Sequence, residues 1–444
     1  MTATDTSVKS GSRGDASGSA PNGRAMMQLV ERLYPICRSI TGDGVRRTLD
    51  ILGEELDLRV REVPTGTRVL DWEIPREWNI REAHVTGPAG ERIVDFRDHN
   101  LHVLNYSVPV RRRVARDELV AHLHSLPDQP DVIPYRTSYY REAWGFCIQH
   151  RRLEALPRGD YDVVIDTSLE PGALTLAECV VPGRSEREIL FSTHICHPSM
   201  CNDNLSGIAV QAALFEWLRR EQRRYTYRAI FAPGTIGAVT WLSMNRRSLD
   251  RIAGGLVLSG LGDPGRLTYK CSRREGARID RVVERALGDE VNQLPFSPLG
   301  YDERQYGSPG FDLPVGRLSR TPYGTYPQYH TSADDLLFIS AAQLESALAA
   351  CQRIVEALEG DTVWYATKPY GEPQLGRYGL YDELAGEIEG TPLREALLWV
   401  LNLADGDHGL LDIAARSGCA VAALEHVARR AVAAGLLETE VAGA

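Results

Sequence analysis

The chain is short of several things, and each shortage excludes a class of protein. No run of about 18 apolar residues occurs in its 444 residues, so no membrane-spanning helix is expected. Basic residues are outnumbered: 50 Lys and Arg face 60 Asp and Glu, for a formal net charge of −10. A nucleic-acid binder needs a basic surface, so nucleic acid is not expected as the main partner. Eight cysteines are scattered with no C-x-x-C pair among them. The start of the chain also lacks the apolar stretch of a secretory signal, which points to reduced thiols and a cytoplasmic protein. What remains is a globular balance, 43% apolar and 25% charged, on a chain long enough for two or three domains.

Residues 1–24 are rich in Ser, Gly, Thr and Asp and read as a disordered tail. Apolar residues at helical spacing then predict helices across 25–60. From about 62 to 160, short apolar runs alternate with Gly, Pro, Asp and Asn, as in a small β-rich domain. From 161 onward, strand candidates (REILFSTHI, YRAIFAPG, GGLVLSGLG, LPVGRLSR) alternate with amphipathic helices, the pattern of an α/β sheet covered on both faces. Ser340 and Gln343 form a capping-box pattern ahead of the helix AAQLESALAACQRIVEALEG. Residues 361–385, rich in Pro, Gly and Tyr, read as a linker. Three helical stretches then follow in the order of a winged helix, the first with Thr391 as N-cap before Pro392. The last of them carries one basic pair, Arg429 and Arg430, beside Glu425, which favours packing or homo-oligomerisation over DNA reading.

The densest chemistry lies in STHICHPSMCNDNLSG, residues 192–207. His194 ends a predicted strand, where α/β sheets place ligands. Asp203 precedes a helix, and the intervening turn is long enough to bring both side chains to one point. Imidazole and carboxylate are common zinc ligands. His197, Cys196 and Cys201 read as supporting or core residues, because a structural zinc knuckle would need short ligand pairs that do not recur. PQYHTSADDL, residues 327–336, adds His330, with Asp334 and Asp335 able to orient its imidazole.

This order of motifs is similar to the zinc aminopeptidase and carboxypeptidase clan of the aminopeptidase Y type. It resembles more closely an aminopeptidase-like bacterial family, often encoded with polysaccharide or natural-product biosynthesis genes, that has an inserted small β domain and a C-terminal winged helix. The likeness runs from about 25 to 440 and includes TIG at 235–237, YDERQYGSPGFDLPVG at 301–316 and YHTSADD at 329–335. It implies a zinc-peptidase-type mixed sheet flanked by helices, built from 25–61 and 161–365. An inserted β-rich domain would occupy 62–160 and a winged-helix-like domain 380–444.

The resemblance also implies His194, Asp203 and His330 as metal ligands. Gly234 and Thr235 stand where the clan has two adjacent glutamates, and the further Asp ligand is missing in register, with Ser259 nearest and Asp263 displaced. So few carboxylates suit one Zn²⁺ per chain rather than two. The missing general base is expected from Glu303 or Asp302, with Asp263 behind them, unless the pair merely bridges to Arg304. Tyr323, Tyr326 and Tyr329 are candidates for the substrate wall.

The implied activity is amide hydrolysis of a small amino-acid-like or peptide-like substrate. Acyl transfer or cyclisation at a single zinc, as in glutaminyl cyclases, is the alternative, and a binding module with an altered site is another.

Overall fold

A computed structural model describes residues 22–439. Most of the expected tail lies outside these residues, but its last three do not fit that reading. The Asn22 side chain accepts the Ala25 N–H, and helix α1 starts at once (Gly23–Leu33). Met26, Val30 and Leu33 then fall on one face and are buried. Helix α2 (Asp43–Leu52) follows the same logic with Val45, Leu49 and Leu52.

The main sheet has eight strands: β1 (Leu58–Pro64), β2 (Ala173–Val181), β3 (Glu188–His194), β4 (Thr226–Ala232), β5 (Ile252–Leu258), β6 (Thr268–Lys270), β7 (Asn292–Leu294) and β8 (Val315–Ser319). Their order is β1-β2-β4-β3-β5-β8-β6-β7. Strand β3 pairs in parallel with both β4 and β5, and β5 with β8. Every residue of β3 is buried, as expected of a central strand covered on both faces.

Helix α3 (Gly207–Leu218) links β3 to β4, and α4 (Ile236–Asn245) links β4 back across β3 to β5. The chain therefore leaves β3 to one side and returns on the other. That reversal opens a crevice at the carboxyl end of β3. Helices α5 (Arg278–Leu287) and α6 (Ala341–Gly360) complete the covering layers, and the Ser340 side chain accepts the Gln343 N–H as the sequence predicts.

Between β1 and β2 lies a four-stranded antiparallel sheet, ordered Arg92–Asp95, Glu77–Thr86, Asp160–Glu170, Val110–Ala115. Its strand Asp160–Glu170 begins where the sequence reading puts the return to the main domain. The inserted sheet therefore extends past residue 160: the strand alternates at its start, is apolar at 163–165 and mostly polar after, so local pattern alone does not reveal which sheet it joins.

Two readings of the C-terminal part are corrected. Segment 361–385 is more than a linker: Val363–Ala366 is the centre strand of a three-stranded sheet, between Asp405–Gly409 and Leu437–Thr439. Thr391 is not a helix cap either. Its hydroxyl accepts the Ala420 N–H, and Pro392 takes the cap position of α7 (Leu393–Leu403). Helices α8 (Leu410–Ser417) and α9 (Val421–Ala433) follow as expected.

Charge pairs on α5 hold this part in place. Arg285 reaches Asp361 at 3.0 Å, and Arg281 reaches Asp412 at 3.0 Å and Asp407 at 3.2 Å. Asp361 and Asp412 are buried, so removing one leaves guanidinium groups without their partner. Asp412→Ala is expected to cost about 3 kcal/mol and to expose residues 361–375 to limited proteolysis. Unchanged cleavage would contradict this reading of the contact.

Candidate metal and active site

His194 is the last residue of β3, and the chain then makes an irregular turn, Cys201–Ser206, before α3. That turn is clamped from several directions. The Asp334 carboxylate accepts the N–H groups of Asn202 (2.5 Å) and Asp203 (2.9 Å). The Asn202 side chain accepts from Gly262 and Asp263, and Ser206 Oγ accepts from Leu261. Asn204 donates to Thr193 Oγ1 at 2.7 Å and to the His194 carbonyl at 3.1 Å. The N-D-N-x-S-G motif is thus a set of side chains that satisfy the loops around it and leave Asp203 for the site.

Asp203 is fully buried and faces three imidazoles. His194 Nε2 lies 2.9 Å from its Oδ1, His197 Nδ1 3.5 Å from the same oxygen, and His330 Nε2 3.0 Å from Oδ2. Burial alone would raise the Asp203 carboxyl, but His197, His194 and His330 hold it well below the usual carboxylate range. Burial lowers His197 and His330 against the upward pull of Asp203, toward the neutral form in which an imidazole binds a metal.

His194, Asp203 and His330 all meet at one carboxylate, but the compact donor set is His194, His197 and Asp203, and His330 lies outside it on the other oxygen. His194 Nε2 and His197 Nδ1 are 3.1 Å apart, and one donor atom each from His194, His197 and Asp203 falls within a 4.8 Å sphere of mutual distances. Two nitrogens bound at about 2.0–2.1 Å to a tetrahedral zinc stand roughly 3.3 Å apart. The donor chemistry and spacing fit zinc, with His330 on the other carboxylate oxygen.

Packing fixes the imidazoles. Tyr135, from the inserted segment, sets its ring edge-on to both His197 (5.3 Å) and His330 (5.2 Å). Its N–H donates to the His330 carbonyl at 2.8 Å. Tyr329 stacks on His330 at 3.9 Å and Tyr301 on His194 at 4.9 Å. Buried Arg38 donates from Nε to the His197 carbonyl at 2.8 Å. Tyr135 and Arg38 carry no local motif, and Tyr301, though it opens the 301–316 motif, shows its contact with His194 only through long-range packing.

Above the cluster opens a cavity of about 630 Å³. His194, His197, His330, Tyr323, Tyr329 and Asp302 line it. The two candidate bases separate here. Asp302 faces the cavity, and its Oδ1 accepts the Thr235 N–H at 2.7 Å. A carboxylate from another loop thus reaches the backbone of the segment where the resemblance expects glutamates. Burial pushes it up to about 7, against the pull of the Thr235 N–H.

Glu303 is not on the cavity wall. It is fully buried and pairs with Lys270 at 2.7 Å and with Arg317 at 3.6 Å, not with Arg304. Asp263 is also occupied, accepting from Asn202, Gly265 and Thr321. Tyr326 lies beside the site, stacked on Phe338, and its hydroxyl accepts from Asn202.

A mixed α/β sheet with a His and Asp cluster at the carboxyl end of its central strand defines an aminopeptidase-like fold. The zinc aminopeptidase of Bacillus subtilis is similar in structure, with a TM-score of 0.57 at 12% identity over 77% of this chain and 96% of that one. A peptidase M28 precursor from Shewanella amazonensis gives 0.53 at 12% identity, over 76% and 93%. At such identity the likeness is one of fold.

Residues 27–361 match the family described as a domain of unknown function, DUF4910, and the chain belongs to it; residues 362–439 match a winged helix-turn-helix family. A Clostridium acetobutylicum protein is 45% identical over 403 residues, 90% of this chain and 93% of its own length. It is named as a candidate polysaccharide biosynthesis protein with an aminopeptidase-like domain. A crystal structure of a candidate peptidase from the same organism superposes with a TM-score of 0.78 at 43% identity, over 94% of this chain and 96% of that one.

Proposed function

We propose that this chain is a zinc-dependent hydrolase that cleaves an amide bond in a small amino-acid-like or peptide-like substrate within a biosynthetic pathway. The observation that carries the reading is the convergence of three imidazoles and one buried carboxylate beneath a cavity that also holds Asp302. One zinc would be held by His194, Asp203 and His330, with His197 as a further donor. When bound, zinc supplies Lewis-acid polarisation of a carbonyl and a lowered pKa for its water.

The chain's own residues do the rest. Asp302, held by the Thr235 N–H, takes a proton from the attacking water and returns it to the leaving amine. Glu303 has no part in this: its pairing with Lys270 and Arg317 stiffens the loop that presents Asp302. Tyr323 and Tyr329 supply apolar walls and hydroxyls to the substrate. The pathway assignment is supported by the name of the Clostridium relative.

No helix among the described residues is long and apolar enough to cross a membrane, and the eight cysteines are unpaired. A cytoplasmic site of action suits both. For the winged-helix part we favour packing or homo-oligomerisation over DNA reading, because Arg429 on α9 is paired with Glu425.

The direct test is hydrolysis of a panel of aminoacyl and acyl amides by zinc-loaded protein, with and without a chelator. Chelator-sensitive release of amine is expected. Hydrolysis that persists unchanged after complete metal removal would refute zinc dependence.

A further inference from the structure

The charges around the cavity restrict what can enter it. Among the described residues that line it, Asp302 supplies one carboxylate and Arg304 one guanidinium, and no other Asp, Glu, Lys or Arg takes part. The Asp302 oxygen Oδ1 is engaged by the Thr235 N–H. Asp203 lies beneath the wall with both oxygens against imidazoles. A free ammonium entering here would have only the Asp302 carboxylate to meet, and pairing with it would block the proton transfer assigned to that carboxylate.

Arg304 offers the opposite sign. It is exposed at the cavity and makes no hydrogen bond or ion pair among the described residues. An anion placed there would gain charge-assisted, bidentate hydrogen bonds. At the same mouth stand Trp72 and Tyr140, both from the inserted segment. They are 40% and 51% exposed and sit edge-to-face at 5.5 Å. Exposed paired rings beside a deep site offer a platform for a flat or apolar group.

Resting on the hydrolase reading of this cavity, we propose that its substrate is an acylated amine that carries an anionic group, not a compound with a free amino terminus. The blocked nitrogen enters uncharged, the anion docks on Arg304, and the apolar portion lies against Trp72 and Tyr140. In the reaction, water oxygen bonds to the acyl carbon and the C–N bond breaks. The nitrogen takes a proton from that water, giving a carboxylic acid and a free amine. The positive charge thus appears only on the departing product, which favours its release.

Two probes of similar size separate the possibilities: N-acetyl-L-phenylalanine, with a blocked amine and a free carboxylate, and L-phenylalanine amide, with the reverse. Their binding to the zinc-loaded full chain is measured by titration calorimetry. The acylated acid is expected to bind at least ~10-fold more tightly, an advantage of about 1.4 kcal/mol. Arg304→Gln is expected to abolish the preference while leaving the fold intact, since Arg304 is exposed. Tighter binding of the amide, equal affinities, no binding of either probe, or a preference that survives Arg304→Gln overturns the proposal. Binding heat and release of amine are read separately for each probe, so the two readings fail separately. A protein that prefers the acylated probe but hydrolyses no amide refutes the hydrolase alone, and one that cleaves only free-amine substrates refutes this inference alone.

Discussion

Replacing Asp302 by Asn is expected to lower kcat by about 10²–10⁴-fold while zinc content stays at the wild-type level. The amide keeps the size of the side chain and can still accept the Thr235 N–H, but it cannot take a proton from water. The same account gives a pH dependence. Activity rests on the ionised carboxylate, so it falls as the pH drops through the Asp302 pKa. Burial sets that pKa at about 7 in the metal-free protein, and a nearby cation favours the ionised form, so the acid limb of kcat/KM lies at or below 7.

Stability runs the other way. A carboxyl whose folded pKa is raised holds its proton more tightly in the folded chain, so its contribution is fully present below the unfolded value. That contribution is lost as the pH rises through about 7. The Asn variant carries no such cost and is expected to be more stable than wild type at pH 8, by up to about 3 kcal/mol relative to pH 5. Thermal unfolding of metal-free protein at the two pH values checks this. An Asn variant that is equally active, or that is less stable at pH 8 than at pH 5 relative to wild type, would remove Asp302 from the mechanism.

Asp203→Asn is the second change with a large expected effect. The carboxylate is the one anion that three imidazoles share, and it sits at the centre of the donor set. An amide keeps the volume but loses the charge that a dication requires. Zinc affinity is expected to fall by at least ~10²-fold, and turnover with it. Dialysis against graded concentrations of a chelator, followed by metal and activity assays on the same samples, measures both. Wild-type retention of zinc in this variant would mean that the ion sits elsewhere.

Much of this was legible in the sequence because some signals are local. The buried run REILFSTHI predicts the central strand and puts His194 at its end. The helix after Ser206 and the Ser340 cap follow from patterns within a few residues. The set His194, Asp203 and His330 comes from the family resemblance rather than from any local pattern.

Other features depend on contacts between residues far apart in the chain. His197 reads as a supporting residue because its spacing from His194 has no fixed meaning until the turn is folded. Asp302 and Glu303 are neighbours of the same chemistry, and only their opposite directions assign one to the cavity and the other to Lys270 and Arg317. The strand Val363–Ala366 hides in a segment rich in turn residues, since its partners lie about 40 and 75 residues further on. Thr391 has the residue type and neighbour of a cap, yet its hydroxyl serves Ala420 instead.

The central claim, a single zinc on this cluster, is tested most directly by metal content per chain. Plasma mass spectrometry on protein purified without chelator should be run for wild type, His330→Ala and His197→Ala. About one zinc per wild-type chain is expected, with a marked loss in both variants. Wild-type protein without zinc, or variants that keep a full complement, would contradict the account.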